Sequence, residues 1–220
     1  MVYARAMNLK TYPIIAREGW ERLGIGLTVC LFATFTIGSG SIPFWIGLVF
    51  MLQFFRDPPR HIPSGHNTIV APASGKVIKI EQIEDPYLDR PCTKISIFMN
   101  VFSVHSNLIP IEGTIKDRWY SPGKFINAAA DKASTDNERN ALWVQTEAGD
   151  DIVFVQVAGL IARRILCYVE PGDSVDAGDR YGFIRFGSRV DLYLPQDIDV
   201  KVKLGQWVSS GNDAIAMLKG

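Results

Sequence analysis

The chain has 220 residues, enough for one well-cored domain plus an appendage. Its 23 Lys and Arg balance 23 Asp and Glu, and no basic stripe with interleaved aromatics occurs, so nucleic acid is excluded as an expected partner. Three isolated cysteines, Cys30, Cys92 and Cys167, exclude a disulfide framework or a Cys-x-x-Cys zinc site and fit a reducing compartment; His61, His66 and His105 likewise lack metal-ligand spacing.

From Leu23 to Phe55 no residue is charged, a run of 33. That exceeds the roughly 20 residues one spanning helix needs. Gly38-Ser39-Gly40-Ser41-Ile42-Pro43 interrupts it, leaving two short apolar arms, Leu23–Ile37 and Phe44–Phe55. Lys10, Arg17 and Arg22 precede the run, and Arg56 and Arg60 follow it. Positive charge at both outer ends keeps both in the cytoplasm, so a re-entrant or shallow helical hairpin is expected over residues 1–55, with Trp20 and Trp45 near its polar ends. A buried core hairpin is the competing reading, and a cleaved signal peptide fits less well.

Arg56 to Asn67 is rich in proline and polar residues and reads as a linker. Residues 68–220 then form the second expected domain. Its apolar segments are short and strand-like: Lys76–Ile80, Lys94–Met99, Asp151–Val157, Arg189–Leu194 and Asp199–Leu204, the last two alternating most strictly. One modest helix is predicted around Ala128–Asn140, where charged residues are frequent. Val169–Asp179 is echoed by Val202–Asn212, each with a V-x-x-G-x-x-V-x-x-G logic, the first one residue longer before its first glycine. This echo resembles the turns of biotinyl/lipoyl-type hammerhead barrels, and Ala71–Val77 has a similar flavour. The fold class is therefore mainly β (α+β): a barrel-like, hammerhead β domain preceded by an apolar helical membrane hairpin.

Near the C-terminus stands Gly187-Ser188, followed by period-two alternation. Glycine permits unusual backbone conformations and leaves its own carbonyl open to attack, and a neighbouring serine hydroxyl is a potential nucleophile. Most Gly-Ser pairs are simply turns. Here, however, Tyr181–Pro195 (YGFIRFGSRVDLYLP) resembles the processing site of the short-form, membrane-associated phosphatidylserine decarboxylases. The resemblance extends to Phe55-Arg56-Asp57-Pro58, Ala71–Gly75, Asn100–Asn107, Asn137–Asn140 and Val157–Arg164, separate blocks in the expected order.

The resemblance implies self-cleavage between residues 187 and 188. Ser188 would become a covalent pyruvoyl group that decarboxylates phosphatidylserine to phosphatidylethanolamine through a Schiff base. No pyridoxal phosphate and no metal would be needed. The chain's own residue 188–220 fragment would stay bound, a homodimer is expected, and the location would be the cytoplasmic face of the bacterial inner membrane. His105, whose side-chain type titrates nearest neutrality, is the candidate for proton transfer. Ser74 stands where the family pattern usually carries an aspartate that helps drive cleavage. Three readings follow: His105 alone or with a water held by Ser74 suffices, another carboxylate such as Asp191 or Glu112 substitutes, or processing is impaired. Arg163 and Arg164 could bind the lipid phosphate or carboxylate through their bidentate forks, or form a solvated face. Asn137–Asn140 is read as a capped turn with no catalytic role. Competing functions are an unprocessed proenzyme or pseudoenzyme binding anionic lipid, and a membrane-tethered β-barrel adaptor. A lipoyl-type carrier fits poorly, because Lys201 and Lys203 lie in an alternating segment and not at a hairpin tip.

Overall fold

A computed structural model describes residues 9–10, 12–65, 67–123, 128–129, 136–159, 165–184 and 187–219. It divides into two units, Thr11–Pro59 and Met1–Lys10 with Arg60–Gly220.

In the first unit, α1 (Arg17–Ile37) stops at Gly38, whose φ of 57° is open to glycine at little cost, and its N–H bonds to the Thr34 carbonyl. A 3₁₀ turn (Gly38–Ser41) leads into α2 (Ile42–Phe54), whose first turn takes Pro43, where no N–H donor is needed. The two helices fold back on each other. A Cβ on Gly26 would fall 3.2 Å from Leu48 and one on Gly19 would fall 2.4 Å from the Phe55 ring. The Ala16 N–H donates to the Phe55 carbonyl at 2.7 Å and closes the open end. At the turn, Trp45 Nε1 donates to Thr34 Oγ1 at 3.0 Å. Outward, the hairpin is apolar: Phe35 is 90% exposed, and Phe32, Ile46 and Val49 are exposed with it. By length and composition this segment is apolar enough to cross a membrane, and α1 alone is about 31 Å long.

In the second unit, β1 (Leu9–Lys10) pairs with β2 (Arg60–His61). The chain then lays down β3 (Thr68–Val70), β4 (Gly75–Asp85) and β5 (Arg90–Met99). Seven strands follow: β6 (Ser106–Leu108), β7 (Gly113–Ser121), β8 (Arg139–Gln145), β9 (Asp151–Val157), β10 (Ile165–Cys167), β11 (Ser174–Val175) and β12 (Arg180–Ile184). It ends with β13 (Ser188–Pro195), β14 (Asp199–Val200), β15 (Trp207–Val208) and β16 (Ala214–Met217). Eight of these form one curled sheet in the order β11-β7-β8-β9-β13-β5-β4-β15, a half-barrel flanked by the small sheets β10-β12-β6 and β14-β16-β3.

The sequence echo has a structural counterpart. Gly205 N–H and Gln206 C=O pair with Val77 on β4, as Gly172 N–H and Asp173 C=O pair with Ile115 on β7. Gly211 N–H bonds to Ala71 as Gly178 N–H bonds to Ile109. One half thus comprises β3–β5 with β13–β16 and the other β6–β12, and they meet where β9 pairs with β13.

Alternation along β13 sends Val190, Leu192 and Leu194 into the main core with Ile95, Ile97, Met99, Phe154 and Tyr181. Tyr193, Cys92, Val153, Val155 and Val157 form a smaller cluster on the other face. Four predicted strands appear, mostly lengthened. Asp199–Leu204 differs: only Asp199–Val200 is strand, because the Gly205 turn draws the following residues away to bond with β4. Of the helix predicted around 128–140, residues 130–135 lie outside the described residues. Its last two positions, Arg139 and Asn140, instead open β8 and pair with Ser121 and Tyr120, since burial on a sheet outweighs helical composition.

Phe154, fully buried and stacked edge-on to Tyr181 with ring centroids 4.9 Å apart, anchors this core. Phe154→Ala is expected to lower unfolding free energy by about 3–5 kcal/mol in a denaturant titration in detergent.

Candidate active site

Ser188 opens β13 and is fully buried. It pairs with Met99 across the ladder, and its Oγ donates to Met99 Sδ at 3.4 Å. Gly187 precedes it with φ of 62°, a left-handed conformation that costs an ordinary residue about 1–2 kcal/mol. Its carbonyl rests on Gly159, where an added Cβ would lie 1.5 Å from the Gly187 oxygen and 3.4 Å from Ala128 Cβ. The two glycines therefore do different jobs: Gly187 bends the chain, and Gly159 leaves room for the carbonyl so exposed. A serine oxygen beside a carbonyl held by a left-handed glycine is an arrangement suited to an N-to-O acyl shift.

His105 is fully buried in the approach to β6. Its carbonyl accepts from Ile184 N–H at 3.3 Å, and its ring lies 6.3 Å from that of Phe183. It thus sits against the end of β12, the strand that leads into the Gly187-Ser188 junction. Ser74 has a different set of partners. Ser210 N–H donates to its Oγ at 2.9 Å, and the two hydroxyl oxygens are 3.0 Å apart. Arg60, buried although it stands in the sequence-predicted linker, donates through Nε to Ser210 Oγ at 3.3 Å and through Nη2 to Ser106 Oγ at 3.5 Å. Ser74 and the neighbour of His105 are therefore joined through Arg60. Proline-rich composition hid this arginine, because a surface linker and a buried edge segment share the same residue types.

Asp191 points away from Ser188. Three positions further along the strand, it occupies the opposite face, where Arg189 grips it with Nε to Oδ1 at 2.8 Å and Nη2 to Oδ2 at 3.0 Å. Arg189 Nη1 also donates to the Ala128 carbonyl at 2.8 Å, and Lys94 Nζ stands 3.7 Å from Asp191 Oδ2. A carboxylate neutralised by two cations across the strand is not placed to act as the base for Ser188, so that sequence alternative fails on strand geometry. Glu112 is half-buried in the turn before β7. Arg163, Arg164 and His66 lie outside the described residues, and His61 is exposed. Burial, with the charge of Asp85, pushes the Cys92 thiol up to about 11, so it is protonated at neutral pH and no rival nucleophile. Among the described residues no group of three or more His, Cys, Asp and Glu could hold a metal ion.

A family profile described as phosphatidylserine decarboxylase matches residues 48–216. The phosphatidylserine decarboxylase proenzyme of Aromatoleum aromaticum is 54% identical over 212 residues, covering 96% of this chain and 99% of that protein. The protein of the same name from Burkholderia pseudomallei is 52% identical over 208 residues, covering 94% and 96%. That of Nitrosomonas europaea is 50% identical over 206 residues, covering 93% and 95%.

Breaking the buried Arg189–Asp191 pair strands a charge. Arg189→Met should lower stability by about 3–5 kcal/mol, while Arg189→Met combined with Asp191→Leu should regain most of the loss, as read by thermal unfolding of both variants.

Proposed function

This chain belongs to the phosphatidylserine decarboxylase family, and from that premise we propose that it cuts itself between Gly187 and Ser188, converts Ser188 to a pyruvoyl group, and so decarboxylates phosphatidylserine to phosphatidylethanolamine. The observation that carries the reading is the junction itself: a buried serine hydroxyl beside a left-handed glycine whose carbonyl is braced on Gly159. The relatives are named as proenzymes, which fits maturation by covalent processing.

Ser188 Oγ attacks the Gly187 carbonyl carbon, and the peptide C–N bond gives way to an ester. Loss of the Ser188 α-proton then breaks the Cβ–O bond, leaving a carboxylate on Gly187 and an unsaturated amine at residue 188. One water enters and one ammonia leaves, producing the ketone. A pyruvoyl group supplies a carbonyl that takes up the substrate amine and accepts the electron pair left behind when carbon dioxide departs. His105 handles the protons of these steps from its buried position at the end of β12. The new ends stay in place because β13 is paired on both sides, with β5 and β9. Arg163 and Arg164 would meet the anionic groups of the substrate. The outward-apolar hairpin Arg17–Phe54 anchors the chain in the bilayer that holds its substrate, with both ends on the cytoplasmic face of the bacterial inner membrane.

Ser74 favours a second reading, a precursor that persists uncut, because a serine offers no carboxylate to drive cleavage. Aspartate would meet ready donors there, since Ser210 N–H already points at this side chain.

Intact-mass spectrometry of the protein purified in detergent decides between them. We expect the 33-residue fragment 188–220, lighter than its serine-started form by one ammonia molecule. A single uncut chain would defeat the self-processing claim for this sequence and leave the family intact. Ser188→Ala should stay uncut, and Ser74→Asp should speed cleavage in a time course. His105→Gln should lower kcat about 10²-fold or more in whatever fraction matures.

A further inference from the structure

A row of hydrogen-bonded side chains crosses the inner face of the large sheet and ends at the sulfur that receives the Ser188 hydroxyl. Arg118 Nε on β7 donates to Asn140 Oδ1 on β8 at 2.8 Å. Asn140 Nδ2 donates to Gln156 Oε1 on β9 at 3.0 Å, and Gln156 Nε2 donates to Asn107 Oδ1 on β6 at 2.9 Å. Asn107 Nδ2 then donates to Met99 Sδ on β5 at 3.7 Å, the atom that also accepts from Ser188 Oγ. The three amides are fully buried.

The direction of this row is imposed by chemistry. A guanidinium can only donate, so Arg118 turns the Asn140 oxygen toward itself and the Asn140 N–H groups toward Gln156. A backbone carbonyl can only accept, and Leu166 C=O takes a second bond from Gln156 Nε2 at 3.3 Å. Both anchors demand the same orientation of Gln156, so Asn107 presents its oxygen to Gln156 and its N–H groups to the Met99 sulfur. Reversing any one amide would set acceptor against acceptor in a site without water's screening, a costly arrangement.

We infer that this row is a polarity-fixed relay, in which Arg118, Asn140 and Gln156 hold the Asn107 donor on Met99 Sδ and thereby position the Ser188 hydroxyl for attack on Gly187. Methionine has three rotatable bonds and is a flexible partner. A second donor on its sulfur removes that freedom. Ser188 then gives its proton toward a fixed acceptor and keeps its lone pairs turned elsewhere. Arg118, Asn140, Gln156 and Asn107 are positioning residues. The inference rests on Ser188 being the self-cleaving residue.

Asn140→Asp separates relay from scaffold. Aspartate keeps and strengthens the link to Arg118 but has no N–H to give Gln156. Full-length chain made by cell-free synthesis in detergent and followed by intact mass should cut about tenfold more slowly in this variant, at little change in melting temperature. Arg118→Lys, still a donor-only cation, should stay within about threefold of the parent, and Arg118→Met should not. A second readout does not need cleavage. In ¹⁵N-asparagine-labelled protein the Asn107 side-chain protons should exchange slowly in the parent and faster in Asn140→Asp. Those of Asn137, which donates to Ala158 C=O outside the row, should not change. Parent-like cleavage or parent-like Asn107 exchange in Asn140→Asp would overturn the relay, as would equal slowing by Arg118→Lys and Arg118→Met. A parent that never cuts counts against the Ser188 reading, and the exchange measurement then decides the relay alone.

Discussion

The backbone ladder that holds β13 on both sides is the constraint on which the rest depends. Residues 188–195 pair with 99–92 of β5, and 189–193 pair with 157–153 of β9. An edge strand would leave half its N–H and C=O groups to solvent and its first residue free to fray. In the centre of eight strands, the first residue is paired with Met99 and followed at once by Arg189, which is paired on both sides. That first residue is Ser188. The same pairing decides which side chains face inward, so the hydroxyl meets Met99 while Arg189 and Asp191 lock together on the other face.

The two-halved architecture explains where the proposed cleavage junction lies. β6–β12 form one half without interruption, whereas the other half is split between β3–β5 and β13–β16. Gly187-Ser188 is the point at which the chain leaves the continuous half and returns to the split one. Just before β13, Gly187 takes a left-handed conformation that glycine adopts at little cost. A left-handed glycine and the proposed scissile peptide bond therefore coincide, and Gly159 in the continuous half provides the surface against which the Gly187 carbonyl is held.

Local features of this fold were legible in the chain. Short apolar segments marked β4, β5 and β9, period-two alternation marked β13, the uncharged run marked the helical hairpin, and the glycine-spaced echo anticipated two matching halves. What stayed hidden depends on pairing. Asp191 looked like a possible base because it is near Ser188 in sequence, but an odd spacing along a strand puts the two on opposite faces. Arg60 looked like linker, yet it meets Ser210 from 150 positions away. Asn107 and Asn140 fall in blocks that carry the family resemblance, and Gln156 is a lone amide in an apolar run, with nothing to mark the three as partners. Only the folding of β6 against β9 brings them into a row, and no local pattern encodes that contact. The charged stretch before Asn140 pointed to helix, whereas Arg139 and Asn140 are claimed by the sheet.

The strand that begins with Ser188, the proposed nucleophile, is synthesised after both strands it pairs with, β5 and β9. Every partner that shapes the junction, from Gly159 to Met99 and His105, emerges from the ribosome before Ser188 does. The junction is complete only once β13 lies between β5 and β9, a pairing of residues far apart in sequence and correspondingly slow. On the proposed self-cleavage, this peptide bond doubles as a folding sensor: a misthreaded chain would keep it whole, and a cut would record that β13 has been seated between β5 and β9.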